Sequence, residues 1–409
     1  MALMMVLPSP SDYCGREGRR SLAAQLDSDL AEQLEQRGAQ QLLRVRHLLE
    51  GPQETAPLID GRRYLAFCSN DYLGLANHPE VVSAAQRGAR DHGVGSGASH
   101  LVTGHSRAHR ALEQELAAFT GREAALLFST GYMANLGAVS ALVGRGSSLF
   151  EDRLNHASLL DAGVLSRARL RRYRHGDAHH LRQLVEREPS RRSLIVTDAV
   201  FSMDGDLAPL PDLVNVAQHG GCPLMVDDAH GLGVMGANGR GTLEHFKLTP
   251  DVVPVLVGTL GKAFGTFGAF VAGSQALIET LVQRSRSYIY TTALPPALAE
   301  ATRASLRLIQ DEPWRRVHLH QLVARFRDGA KRLHLPVKDS ASPIQPLVLG
   351  TAEAALKASA QLRACGLFVS AIRPPTVPMN SARLRITFST GHQFEDVDRL
   401  LDALSNILR

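Results

Sequence analysis

The chain has 409 residues, 44% of them apolar and 21% charged, and a formal net charge of +5, a balance that fits a soluble globular enzyme of two lobes and excludes a disordered or fibrous chain. No run of roughly 18 apolar residues occurs, so no membrane-spanning helix is expected. The four cysteines, Cys14, Cys68, Cys222 and Cys365, form no CxxC pair, which argues against a zinc or disulfide framework and points to a reducing cytoplasm.

The start, MALMMVLPSP, has no basic residue ahead of its apolar part and is interrupted by Pro8 and Pro10, so it reads as a loose tail. Leu22, Leu26, Leu30 and Leu34 then recur on one helical stripe, which predicts an amphipathic helix over residues 21–50 ended by Gly51 and Pro52. A second helix is expected after Gly104, with Leu112, Leu116 and Phe119 on one face and Gly121 as its stop. Short apolar runs follow, ALLF (125–128), SLIVTDAV (193–200), PLMVDDA (223–229) and PVLVGTL (254–260), separated by helical stretches. They are apolar on both faces, the form of a mostly parallel sheet covered by helices. The arginine cluster RARLRRYR (167–174) lacks interleaved aromatics and reads as the exit from a helix, so no nucleic-acid platform is expected. Beyond Pro296 the pattern changes to helix, strand-like IQPLVLG, helix, strand-like LFVSAI and LRITF, and a last amphipathic helix through Val397, Leu400, Leu401 and Leu404, an α+β arrangement. The division expected is an N-terminal segment with a long helix (1–72), a large α/β domain (73–309) and a small C-terminal α+β domain (310–409).

Chemistry concentrates at strand ends. VDDAHGLG (226–233) puts Asp227 at the carboxyl end of a buried strand, the edge where open α/β sheets bind ligands. A carboxylate there needs a cationic partner, which a protonated pyridine nitrogen supplies; the plainer reading is a turn cap. His230, three residues on, is placed to donate to a phenolic oxygen of such a ring. In GTLGKAFGTFGA (258–269) glycines surround Lys262 and leave room for a planar ring, although a solvated loop has the same composition. Ala263 after Gly261-Lys262 argues against a nucleotide phosphate loop. FSTGYMANLGA (128–138) runs from strand to helix, so the amides of Gly131 and Tyr132 face a phosphate at a helix start, with Ser202 and Thr259 as further hydroxyl donors or ordinary turn residues. His156 either stacks on a planar ring or caps a helix. His105 and His109, and HGDAHH (175–180), have histidine density without the supporting Glu or Cys of a metal motif, so no metal is expected.

Together SNDYLGL (69–75), GSGASHLVTGHS (95–106), EDRLNHASLLDA (151–162), VFSMDGDLAPL (200–210), VDDAHGLG and TLGKAFG resemble the α-oxoamine synthases over nearly the whole chain after about residue 22. The resemblance implies pyridoxal 5'-phosphate (PLP) as cofactor and the PLP fold type I: a large domain with a mostly parallel central sheet flanked by helices, a smaller C-terminal α+β domain and an N-terminal helical segment. It also implies a homodimer with the active site at the subunit interface, where Thr291 and Thr292 touch the partner's cofactor phosphate. Carried over residue by residue, Lys262 is the Schiff-base lysine, Asp227 the pyridinium partner, His230 the donor to the phenolic oxygen and His156 the ring stacker, with Lys262, His156 and Asp227 catalytic. Gly131, Tyr132, Ser202 and Thr259 match phosphate or ring contacts; Arg385 matches the carboxylate partner, Asn70 joins the substrate-binding set, and Arg44 and Thr376 match acyl-substrate contacts. AIRPPTVP (371–378) followed by ARLRITF points within the family to the condensation of L-alanine with a pimeloyl thioester, carried by coenzyme A or acyl carrier protein; related chemistries of the 2-amino-3-ketobutyrate or 5-aminolevulinate type are the rivals. A non-catalytic partner subunit of the same fold is expected to lack the lysine that this chain has at 262. The first twenty or so residues exceed the family pattern, and His100 stands where a small residue is common.

Overall fold

Valine, isoleucine and leucine dominate the central strands, and burial on both faces follows: in the computed structural model, which describes residues 21–188 and 192–408, seven strands form one sheet. In chain order these are β1 (Ala124–Phe128), β2 (Ser148–Asp152), β3 (Arg169–Tyr173), β4 (Ser193–Asp198), β5 (Leu224–Asp227), β6 (Val255–Thr259) and β7 (Ala269–Gly273). Their spatial order is β1-β7-β6-β5-β4-β2-β3, and only β7 runs against the rest. The mostly parallel sheet expected from the doubly apolar runs is therefore present, and four buried chain segments end on one edge at Phe128, Asp198, Asp227 and Thr259. A smaller antiparallel sheet of β8 (Ile344–Gly350), β9 (Ser370–Ile372) and β10 (Ala382–Thr387), ordered β8-β10-β9, carries the C-terminal region.

One expectation is corrected. The first helix, α1 (Leu22–Ala39), begins at its Ser21 cap but stops well short of residue 50. Gly38 weakens its last turn, and Gln41 adopts a left-handed backbone, φ 58°, which ends the helical path. The chain divides after Arg46 into two compact units, so α1 belongs to the first and everything from His47 to the second. The arginine cluster does lead out of a helix, since Arg167 is the C-cap of the Ala157–Ser166 helix, and residues 169–173 then form the edge strand β3, where Arg172 Nε donates to the buried Glu151 at 2.6 Å and Arg171 pairs with Glu188. The helix expected after Gly104 is α2 (Arg107–Thr120), with Leu112, Leu116 and Phe119 buried and Gly121 closing it at φ 66°. The reading of MALMMVLPSP falls on residues outside those described. Among the described residues no helix is long and apolar enough to cross a membrane.

The Lys262 turn is pinned by backbone contact. After β6 the chain folds back through hydrogen bonds from Gly265 N to Lys262 O (2.8 Å) and Thr266 N to Leu260 O (2.9 Å). Gly265 has φ 65°, and a Cβ on it would sit 2.4 Å from the Ala76 nitrogen and 2.6 Å from the Leu75 carbonyl carbon, so glycine is required for the turn to lie against the end of SNDYLGL. Gly265→Ala is expected to cost about 2 kcal/mol or more through strain and overpacking. Chemical denaturation measures it, and an unchanged midpoint contradicts this account of the turn.

Candidate active site

Everything the sequence marked at strand ends converges on the carboxyl edge of the sheet. Lys262 follows β6, and its Nζ stands 2.8 Å from His230 Nε2. Burial pushes the Lys262 ammonium down to about 8; Asp227 and Asp198 oppose the shift, and Arg385 reinforces it. A solvated surface lysine would show none of this, so the plain-loop reading falls away.

Asp227 closes β5. Its Oδ1 accepts from the Ala229 amide at 3.0 Å and its Oδ2 from Asn135 Nδ2 at 2.6 Å. The turn-cap reading is thus half right: one oxygen caps the turn while the other faces a buried amide. Asn135 was not anticipated. It projects from α3 (Gly131–Leu142), donates also to Ser158 Oγ at 2.9 Å, and leaves its own buried Oδ1 without a hydrogen-bond partner. Its signal was there to find, one amide within the largely apolar helix of FSTGYMANLGA. Asp198, also missed, ends β4 directly beside Asp227 in the sheet register. Its Oδ2 accepts from the His156 amide at 2.6 Å, and burial, reinforced by the Asp227 charge, pushes its carboxyl well above the usual range.

His230 is engaged at both nitrogens, by Lys262 at Nε2 and by the Tyr72 hydroxyl at Nδ1, 2.7 Å away. Burial, with Lys262, Arg385 and His156 nearby, holds it well below the ordinary imidazole range, so it is neutral. Tyr72, a third residue that was missed, also reaches Asn70 Oδ1 at 3.1 Å. That same oxygen accepts from Arg385 Nη1 and Nη2, each at 3.2 Å, while Arg385 Nε donates to the Ser202 carbonyl at 2.6 Å. Asn70, Ser202 and Arg385 are therefore brought together with His230 and Lys262. His156 caps α4 (Ala157–Ser166), its Nδ1 accepting from the Ser158 amide at 3.3 Å, and its side chain stays exposed. Loss of hydration lowers its pKa, against the pull of Asp227 and with the push of Lys262.

Gly131 and Tyr132 open α3, where Thr130 Oγ1 accepts from Met133 N at 3.1 Å and the first amides of the helix have no intrahelical partner. The space beside Gly131 is open. Thr259 at the end of β6 uses its hydroxyl locally, donating to Gly268 O at 3.3 Å. Thr376 sits exposed in the turn after β9, its amide donating to Arg373 O at 3.1 Å. Arg44 is exposed in the first unit, and Thr291 and Thr292 follow the Arg286–Ile289 helix, Thr292 bridging to Ser99. A cavity of about 470 Å³ opens beside Lys262, lined in part by Asn70, Asp71, Gly261 and Phe368. A larger one, about 660 Å³, lies at the opposite edge of the sheet against Arg122, Pro223 and Val255, away from all of these groups. His100 joins His105 and His109 so that one ring atom of each lies within 4.8 Å of the others. Both nitrogens of His109 are already taken, by the Ser106 amide at 2.9 Å and by Leu294 O at 2.6 Å.

The donor set fits PLP on its own chemistry. An amine with a pKa of about 8 would suit an aldehyde, a strand-end carboxylate a ring nitrogen, a neutral imidazole a phenolic oxygen, and open helix amides a phosphate.

Known proteins agree. Residues 62–404 match aminotransferase class I and II. The 8-amino-7-oxononanoate synthase of Methylococcus capsulatus is 62% identical over 378 residues, covering 92% of this chain and 98% of that one. A solved structure of SPT with PLP superposes with a TM-score of 0.88 at 30% identity, covering 95% of this chain and 98% of the other. The 8-amino-7-oxononanoate synthase of Francisella tularensis superposes with a TM-score of 0.75 at 32% identity, covering 84% and 98%. The α-oxoamine resemblance, the PLP fold and the cofactor are thereby borne out. The chain belongs to the aminotransferase class I and II family of PLP enzymes, among the 8-amino-7-oxononanoate synthases.

Proposed function

We propose that this chain joins L-alanine to a pimeloyl thioester with loss of carbon dioxide, working as a cytoplasmic homodimer whose two sites lie at the subunit interface. The observation that carries the reading is the buried Lys262 amine, brought to about 8 and held against His230. PLP, when bound, supplies an aldehyde that exchanges amines and a ring that stabilises negative charge at the amino-acid α-carbon.

The chain's own residues do the rest. Lys262 would anchor the cofactor and would take the α-proton of alanine, a task that needs an unprotonated amine near neutral pH. Asp227, oriented by Asn135, would keep a proton on the ring nitrogen, and His230 would donate to the phenolic oxygen. His156 would stack on the ring and serve as a proton donor. Gly131, Tyr132, Ser202 and Thr259 hold the phosphate end, and Thr291 and Thr292 serve the partner subunit's phosphate in the same way. Arg385 with Asn70 takes the amino-acid carboxylate, which sets the α-carbon bond that stands perpendicular to the ring and breaks. Arg44 and Thr376 contact the acyl chain, and the net charge of +5 suits an anionic carrier, coenzyme A or acyl carrier protein.

A second reading, serine with a palmitoyl thioester, is favoured by the 0.88 superposition on SPT, but at 30% identity against 62% for the Methylococcus protein. Alanine, glycine and serine differ by a methyl or hydroxyl, a discrimination of about 1–3 kcal/mol in an apolar pocket. An assay pairing each amino acid with pimeloyl, acetyl, succinyl and palmitoyl thioesters is expected to give its highest kcat/KM with alanine and pimeloyl. A preference for serine and palmitoyl overturns the assignment. Arg385→Ala is expected to lower kcat/KM for alanine by roughly tenfold to a hundredfold, the worth of a charge-assisted pair. The pH dependence follows from burial: because the protonated amine is disfavoured, capture of PLP by the cofactor-free chain should accelerate as pH rises through about 8. Stopped-flow absorbance measures this, and a midpoint near that of a free lysine, 10.5, contradicts it.

A further inference from the structure

His230 is neutral, so it carries one N–H, and its two side-chain contacts are not independent. If Nδ1 accepts from Tyr72, Nε2 must be the donor toward Lys262 and the cofactor; if Nδ1 donates to Tyr72, Nε2 can only accept. The Tyr72 hydroxyl therefore sets the tautomer. It has one hydrogen and two acceptors in reach, His230 Nδ1 at 2.7 Å and Asn70 Oδ1 at 3.1 Å. Both lone pairs of Asn70 Oδ1 are already claimed by the Arg385 fork, at 3.2 Å from each terminal nitrogen. The hydrogen is thus directed to the shorter contact. Tyr72 is fully buried, and burial pushes its phenol up, so the hydroxyl keeps its hydrogen.

We propose that Tyr72 is a positioning residue for the condensation, holding His230 in the tautomer that donates from Nε2, with its own hydroxyl aimed by the Arg385–Asn70 pair. The proposal rests on the function assigned above and deepens it. It gives SNDYLGL a chemical reason beyond packing: Asn70 and Tyr72 lie two residues apart, so one turn carries the amide that meets Arg385 and the hydroxyl that meets His230. The groups that set the charge around this imidazole are Lys262, Arg385 and His156, with Asp227 and Asp198 acting on Lys262 from the two neighbouring strand ends. None of the five supplies Nδ1 with a hydrogen-bond donor; Tyr72 does.

The test is Tyr72→Phe in the full chain, which removes one oxygen from a buried ring and keeps its shape. In histidine-labelled wild type above pH 8, where the Lys262 amine is mostly neutral and can accept, nitrogen NMR of His230, identified by loss of its signals in His230→Asn, should show Nδ1 in the unprotonated range and Nε2 in the protonated range. Tyr72→Phe should move both toward a tautomer mixture. With Nδ1 no longer held as acceptor, Nε2 becomes free to accept from the charged Lys262, so the pH midpoint for Lys262 reacting with a small aldehyde should rise by about one unit, a tenfold loss of free amine at pH 7. In the holoenzyme kcat should fall about tenfold while KM for alanine stays within about twofold, a split that general loosening of the fold does not produce. Identical shifts and midpoint in the variant, or a wild-type His230 protonated at Nδ1, overturn the proposal. The wild-type measurement decides even where the variant does not fold. Because the shifts are read in both cofactor-free and loaded chain, they judge Tyr72 separately from the substrate assignment, which fails only on the amino-acid and thioester panel.

Discussion

The structure depends on one electrostatic arrangement: a lysine amine withdrawn from water and set among two carboxyls, an arginine and a neutral imidazole. Desolvation alone would drive such an amine far toward its neutral form, and the carboxyls at Asp227 and Asp198 restrain it, so that the balance falls near 8. A lysine left in water would be almost wholly protonated and inert as a nucleophile or base; one buried without carboxyls would lack the anion that a cationic ring needs opposite it. Burial, with the Asp227 charge at the end of the next strand, also raises the Asp198 carboxyl well above its usual range.

The sheet makes this arrangement affordable in conformational terms. Parallel strands align their carboxyl ends, so Asp198, Asp227 and Thr259 arrive on one edge without any long loop to order, and the helix starts at Gly131 and Ala157 arrive there too. Asn135 and the His156 amide then each hold one of the two carboxyls in place. β10 brings Arg385 from the small sheet to Asn70, a hydrogen-bonded pair that joins residues 315 positions apart in sequence.

Local pattern carried part of this and stopped where pairing in space began. Lys262 stood out by its glycine flanks, Asp227 by its place at the end of an apolar run, and His230 by its spacing from that acid; family resemblance supplied their roles. Asp198, Asn135 and Tyr72 were missed because each acts through a partner distant in sequence, at 227, 227 and 230, and no local period encodes that proximity. Helix α1 was drawn too long because its leucine stripe says where a helical face lies and little about where it ends; the left-handed Gln41 decides that. RARLRRYR does leave a helix at Arg167, while the edge strand that follows it is defined by the pairing of residues 169–173 with 148–152, which no local pattern encodes.

Reduction of the holoenzyme with borohydride, followed by peptide mass mapping, records which nitrogen closed on the cofactor. A single pyridoxyl label is expected on the peptide containing Lys262, absent from Lys262→Ala protein. A label on any other lysine, or equal labelling in that variant, would contradict it.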